Sequence, residues 1–161
     1  MDAYLDIETT GLSCRSAYIT VIGIYLVEGY ADKLVQLVGR DITSDNLLEC
    51  VKDVTDVFTY NGSRFDLPFI NGVLGINLEA FANHRDLMYD CWRCNLRGGF
   101  KAVERQLGIS RESAGITGWD AVLLWQRYMR CGDSEALNTL LQYNREDVMN
   151  LKVLRERLAE Y

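Results

Sequence analysis

Asp6 and Glu8 stand two positions apart in Leu5-Asp6-Ile7-Glu8, a stretch that alternates with the strand period and breaks at Thr9-Thr10-Gly11. Successive strand side chains point to opposite faces, so Tyr4, Asp6 and Glu8 share one face and Ala3, Leu5 and Ile7 the other. The two acids are then ~7 Å apart along the backbone. A strand end opening to solvent would also account for such a pair. Far downstream, Leu140, Tyr143, Leu151, Leu154 and Leu158 all fall within about 40° of Asp147 on a helical wheel, so this acid lies inside an apolar stripe. No Lys or Arg shares the stripe, and burying a lone carboxylate costs several kcal/mol, so positive charge must come from an ion or from a distant Arg. Tyr143 stands one turn before Asp147 on the same face. Asp66 follows the turn Tyr60-Asn61-Gly62-Ser63-Arg64-Phe65 at a helix start, where the helix dipole alone would suit it. Four acids from three parts of the chain can share one pocket only with cations. Two hard divalent ions ~4 Å apart would clamp the attacking and leaving oxygens of a phosphodiester, so the indicated chemistry is metal-assisted phosphoryl hydrolysis.

The elements that must position these groups follow from periodicity. Strands are expected over Ala3 to Glu8, Tyr18 to Val27 and Lys33 to Val38 as an antiparallel meander, with a further buried strand over Asp56 to Tyr60. A helix capped by Ser44 or Asp45 runs to Lys52, and another occupies Phe65 to Leu74. Helical periodicity then continues over Leu87 to Leu96, Phe100 to Leu107, Asp120 to Arg130 and Ser134 to Glu160. Strands followed by helices, with no repeat or long linker, predict one α/β domain over residues 1–161 with a mixed sheet flanked by helices.

Composition sets the outer limits. At 161 residues, 48% apolar and 25% charged, the chain reads as an ordinary globular domain rather than a disordered or low-complexity one. The longest apolar stretch, Ile19 to Val27, is about half of what a bilayer span needs, and Met1-Asp2-Ala3 lacks a basic leader, so no membrane association and a cytoplasmic location are expected. Five cysteines without paired spacing read as reduced thiols. The net charge of -6 argues against nucleic acid at first sight. It is unevenly spread: His84 to Arg111 holds six Lys and Arg against three acids, +3, leaving -9 elsewhere. Two bound dications would offset four of the negative charges.

Three blocks carry a family resemblance: Leu5-Asp6-Ile7-Glu8-Thr9-Thr10-Gly11-Leu12, Tyr60-Asn61-Gly62-Ser63-Arg64-Phe65-Asp66-Leu67-Pro68, and Tyr143-Asn144-Arg145-Glu146-Asp147. They resemble the DEDDy-type 3′-to-5′ exonucleases of the ribonuclease H-like superfamily. Gly98 to Glu104 and Tyr143 to Leu151 are similar to the YprB-like branch, and the second block also resembles the proofreading domains of family B DNA polymerases. The resemblance implies a three-layer α/β fold with a mixed five-stranded sheet, three antiparallel then two parallel strands. It implies two divalent cations, Mg²⁺ or Mn²⁺, acting on single-stranded 3′ ends of DNA or RNA. Asp6 would bridge both ions, Glu8 and Asp147 would hold the water-activating one, Asp66 would hold the second, and Tyr143 would orient the attacking water. Leu12 would wedge against the terminal base, and Thr9, Thr10 and Gly11 would line the 3′ end.

Other features read more plainly. Gly98-Gly99 with Arg97 and Lys101 beside it is either a phosphate-contacting turn or a structural one, and Asn61, Phe65 and Lys101 join the expected substrate contacts. Phe65 and Trp92 could stack on bases, although aromatics beside apolar runs usually belong to the core. Cys91 and Cys94, one helical turn apart, read as buried or half-buried thiols rather than zinc ligands with His84, and Asp86 and Asp90 as capping or solvated acids. Two rival functions remain: a non-catalytic nucleic-acid-binding module of the same fold, and a haloacid-dehalogenase-type phosphatase with Asp6 as nucleophile, for which Gly132-Asp133-Ser134 is a poor second motif.

Overall fold

In the computed structural model, which describes residues 1–161, the chain opens with the antiparallel meander β1 (Asp2–Thr9), β2 (Ile19–Glu28) and β3 (Ala31–Val38). Strands β4 (Asp56–Thr59) and β5 (Asn83–Asp86) add in parallel on the other side of β1, giving the order β3-β2-β1-β4-β5. Six helices flank the sheet: α1 (Ser44–Val51), α2 (Asp66–Leu74), α3 (Leu87–Arg93), α4 (Phe100–Leu107), α5 (Gly118–Cys131) and α6 (Ser134–Leu158). The mixed five-stranded α/β architecture is therefore as the sequence implies, with boundaries moved by a few residues. Thr43 rather than Ser44 or Asp45 caps α1, its side chain accepting from the Asn46 amide. Helix α5 starts two residues early at Gly118, because Thr117 and Asp120 form a reciprocal capping box.

The alternation of β1 divides the interior in two. Ala3, Leu5 and Ile7 pack with Leu47 and Val51 of α1 and with Leu67, Phe69 and Ile70 of α2. Tyr4 on the other face packs with Leu87, Val103, Val148, Leu151 and Leu154 from α3, α4 and α6. Helix α6 lies so close to the sheet on this second side that residue 23 must lack a side chain. Gly23 pairs with Asp6 across β1 and β2, and a Cβ there would lie 2.9 Å from Asn144 Cγ and nearer still to its Oδ1. Asn144 is fully buried, accepts from Gln36 Nε2 at 3.0 Å and donates to the backbone and carboxylate oxygens of Asp6, both at 3.3 Å. Gly23→Ala is accordingly expected to lower stability by about 1–3 kcal/mol in urea unfolding. Gly99→Ala, where an added Cβ meets nothing within 4 Å, should stay within about 0.5 kcal/mol. Equal losses at both positions would show that the approach of α6 is not tight.

Candidate active site

Strand β1 ends with an irregularity between Glu8 and Thr9, beside the carboxyl end of β4. Asp6, Glu8 and Asp147 of α6 each bring a carboxylate oxygen within 4.8 Å of the others. The side chains thus converge more closely than the ~7 Å backbone spacing along a strand requires. Asp66 opens α2, is buried, and its Oδ1 accepts the Ile7 amide of β1 at 3.0 Å. It lies outside that trio but lines the same crevice, of about 560 Å³, together with Asp6, Glu8, Asp147 and Tyr143. Thr9, Thr10, Gly11, Leu12, Asn61 and Phe65 line it too, and Lys101 lines a smaller adjoining hollow with Asp6, Tyr143 and Asp147.

Burial and crowding decide the charge state of these acids. Burial pushes Asp6 and Glu8 well above the usual carboxylate range, and the negative charges of Asp147 and Asp66 push them further. Asp66 is raised to about 7, chiefly by burial, against the opposing hydrogen bond from Ile7. Asp147 is raised to about 6 by burial, with Arg111 holding it down. The positive charge that the α6 stripe lacks is supplied by a distant arginine: Arg111 is held bidentately by Glu104 at 2.7 and 2.8 Å and also donates to Asp147. Lys101 Nζ donates to the Tyr143 hydroxyl at 2.7 Å and lies 4.1 Å from the centre of its ring. Burial and the neighbouring acids raise Tyr143 strongly, so it keeps its phenolic proton.

Asp6, Glu8, Asp66, Asp147 and Glu104 carry five formal negative charges against the two of Lys101 and Arg111. Glu8 Oε1 is buried with no hydrogen-bond partner, as is Nη1 of Arg111. An unsatisfied anionic oxygen costs more than an unsatisfied neutral one, and an all-oxygen acidic donor set suits a hard divalent ion. The residues present therefore fit such an ion.

The turn that brings Asp66 to the site depends on a further carboxylate, which is not part of the crevice lining. Asp86, at the end of β5, accepts from the amides of Asn61 at 2.8 Å, Ser63 at 3.1 Å and Met88 at 3.1 Å, and from the Ser63 hydroxyl at 2.7 Å. It fixes the turn in which Asn61 adopts φ 61° and from which Asn61, Phe65 and Asp66 reach the site. Asp86 is thus a capping acid, as one sequence reading has it, whereas Asp90 is not solvated: it is buried and paired with Arg85 and Arg93. Cys91 is buried and Cys94 half-buried, and the His84 ring engages Thr59 at 2.8 Å and Glu79 at 3.5 Å. Asp133 caps α6 by accepting from Ala136 at 3.0 Å.

Arg111, Asn144, Gly23 and Trp119 escape sequence reasoning. Trp119 lies in the first turn of α5, is 65% exposed and lines the crevice. Only the Thr117/Asp120 spacing of a capping box marks the helix start that places it.

An α/β sheet of this order, with acids gathered at the carboxyl ends of its central parallel pair, defines a ribonuclease H-like fold with an acidic crevice. Residues 3–159 match the family described as the RNase_H superfamily, RNase_H_2, and the chain belongs to it. Among solved structures, one described as the apo form of a nuclease shares 18% identity at a TM-score of 0.67, over 99% of this chain and 72% of that one. The family B DNA polymerase of the hyperthermophilic archaeon Pyrobaculum calidifontis shares 18% identity at a TM-score of 0.77, over 98% of this chain and 24% of the polymerase. NrnC of Brucella melitensis, solved with bound Mg²⁺, shares 18% identity at a TM-score of 0.53, over 98% of this chain and 83% of that one. At these identities the likeness is one of fold. No curated protein matches the sequence, and no helix is long and apolar enough to cross a membrane.

Proposed function

We propose that the chain is a metal-dependent 3′-to-5′ exonuclease of DEDDy type, nearest the YprB-like branch, removing nucleotides from single-stranded DNA or RNA within one domain over residues 1–161. The observation that carries the reading is the trio Asp6, Glu8 and Asp147, with carboxylate oxygens within 4.8 Å and one of them buried and unpartnered, at the base of a crevice open to solvent. The nuclease and Mg²⁺ named for the structural neighbours support it. Asp6, Glu8 and Asp147 would hold one divalent ion, and Asp6 with Asp66 a second. Bound Mg²⁺ or Mn²⁺ would supply Lewis-acid activation of water and neutralisation of charge at the leaving oxygen. Tyr143 then has one defined task. Its oxygen accepts from Lys101, so its own proton is free to be donated, and a neutral phenol beside the acids can orient a water as hydrogen-bond donor. Leu12, 90% exposed and lining the crevice, would press on a terminal base, and Thr9, Thr10, Gly11, Asn61, Phe65 and Lys101 would surround the 3′ end.

The test is directional digestion with Mn²⁺. Strands blocked at the 5′ end should shorten stepwise from the other terminus, while strands carrying a 3′-phosphate should persist. Internal cuts in the 3′-blocked strand would replace the exonuclease reading with an endonuclease one. Binding of strands without any shortening would favour a non-catalytic module.

A further inference from the structure

Outside the acidic crevice, the arrangement that asks for a ligand is a cluster of cations on one indole. Trp92 of α3 is half-buried, and the guanidinium carbons of Arg64 and Arg97 lie 5.9 and 5.7 Å from its ring centre. Both arginines are exposed. Arg85 and Arg93 share one acid partner, Asp90, whereas Arg64 and Arg97 have only the indole. Tyr89, 36% exposed, meets Trp92 edge-on at 5.3 Å and 89°.

Two like charges gathered on one ring without an acid repel each other. Exposed cation–π contacts of about 0.5–1 kcal/mol each offset that only in part, and an arriving phosphate would complete the balance. Guanidinium groups alternating with aromatic rings are the combination that holds unpaired nucleic acid: the cations meet the backbone and the rings offer a stacking surface to any base. A duplex, with its bases already stacked, would leave the rings unused.

The cluster also joins the crevice. Arg64 belongs to the turn after β4 whose Asn61 and Phe65 line the site, and it directly precedes Phe65. Arg97 directly precedes Gly98, whose carbonyl accepts from the Tyr60 hydroxyl at 2.7 Å. Tyr60 in turn lines the crevice and stacks on Phe100 at 5.2 Å. A single wall therefore runs from the acids, through Tyr60, to Trp92.

We propose that Arg64, Trp92 and Arg97 form a track that grips the single-stranded segment upstream of the nucleotide held among the acids. This rests on the nuclease reading for its direction but not for its detection, because binding can be followed without cleavage. It gives a chain of net charge -6 two cations without acid partners on the path by which a polyanion would leave the crevice. The track predicts a length dependence, since longer strands bring more phosphates and bases to it.

The experiment measures anisotropy of 5′-fluorescein strands of three and twelve nucleotides, as DNA and as RNA, with Ca²⁺ in place of Mn²⁺, on the full chain. The variant Arg64→Ser/Arg97→Ser should weaken the twelve-nucleotide strand at least about tenfold and reduce the slope of log affinity against log salt by about 1.4, two single-strand phosphate contacts. The three-nucleotide strand, which brings fewer phosphates and bases to the track, should be weakened several-fold less. Trp92→Leu, which keeps apolar volume, should weaken only the longer strand, by about tenfold, and leave the salt slope unchanged. Unaltered binding of the twelve-nucleotide strand by the double variant overturns the track, as does equal weakening of both lengths. The DNA and RNA arms report which strand it takes. With Mn²⁺, wild-type protein that binds through Arg64 and Arg97 yet shortens no strand would refute the nuclease reading and leave the track standing. Cleavage with no length dependence would do the reverse.

Discussion

Asp6→Ala should abolish strand shortening, by at least about 10³-fold, the equivalent of roughly 4 kcal/mol of lost transition-state stabilisation, while leaving the fold intact. The Asp6 carboxylate lies within 4.8 Å of those of both Glu8 and Asp147, as those two do of each other, and is in addition held by Asn144. On the proposed two-ion reading, its removal would cost both ions a ligand. The same substitution removes a carboxylate whose charged form the fold disfavours through burial and three neighbouring acids, so the thermal midpoint of ion-free protein should hold or rise. Asp147→Asn should behave alike, since Arg111 keeps its bidentate grip on Glu104. Turnover of end-labelled strands with Mn²⁺, read beside thermal unfolding, separates the two effects. Either variant cleaving at the parental rate would remove that residue from the mechanism. A large drop in midpoint would mean the acids are structural.

The second large effect is a dependence of stability on pH that ions reverse. Asp66 at about 7 and Asp147 at about 6, against an ordinary 3.8, bind protons more tightly folded than unfolded. Groups raised in this way contribute stability that is complete below the unfolded value and is lost as pH climbs through the folded one. In EDTA, the midpoint should therefore fall as pH rises from about 4 to 7, most steeply below about 6, where both acids are protonated in the folded chain and ionised in the unfolded one, and should level off above about 7. Mn²⁺ at a hundred times its dissociation constant should restore about 2.7 kcal/mol at pH 8, or roughly 5–10 °C for a chain of this size. The gain should shrink at pH 5, where protons compete for the same oxygens. A flat ion-free profile, or equal stabilisation by Mn²⁺ at both pH values, would contradict the acidic cluster as an ion site.

Much of this was legible in the residues because the physics was local. Strand alternation sorted Tyr4, Asp6 and Glu8 onto one face, and helical periodicity placed Asp147 in an apolar stripe with a missing counter-charge. What stayed hidden depends on distance through space. Arg111 lies 36 residues before Asp147 in the chain, in a segment without periodicity, and only the folded chain reveals that it is the counter-charge. Gly23 looks like an interruption in a strand until α6 is laid across it. The family resemblance implies a sheet of three antiparallel and two parallel strands, but not where β5 lies: Asn83-His84-Arg85-Asp86 has neither alternation nor β-branched residues, and pairing with β4 rather than intrinsic preference makes it a strand. Trp119 was missed because nothing about an aromatic at a helix start distinguishes a crevice wall from packing.

The same polar character of β5 has a further consequence. It is the outermost strand on its side, only four residues long, and offers Asn, His, Arg and Asp where a longer apolar strand would invite neighbouring molecules to add on. On the far border, β3 begins with exposed Ala31, Asp32 and Lys33. Short length and charge at sheet borders suppress intermolecular strand addition and the aggregation it seeds, so the segment least recognisable as a strand is also the one that protects the protein in concentrated solution.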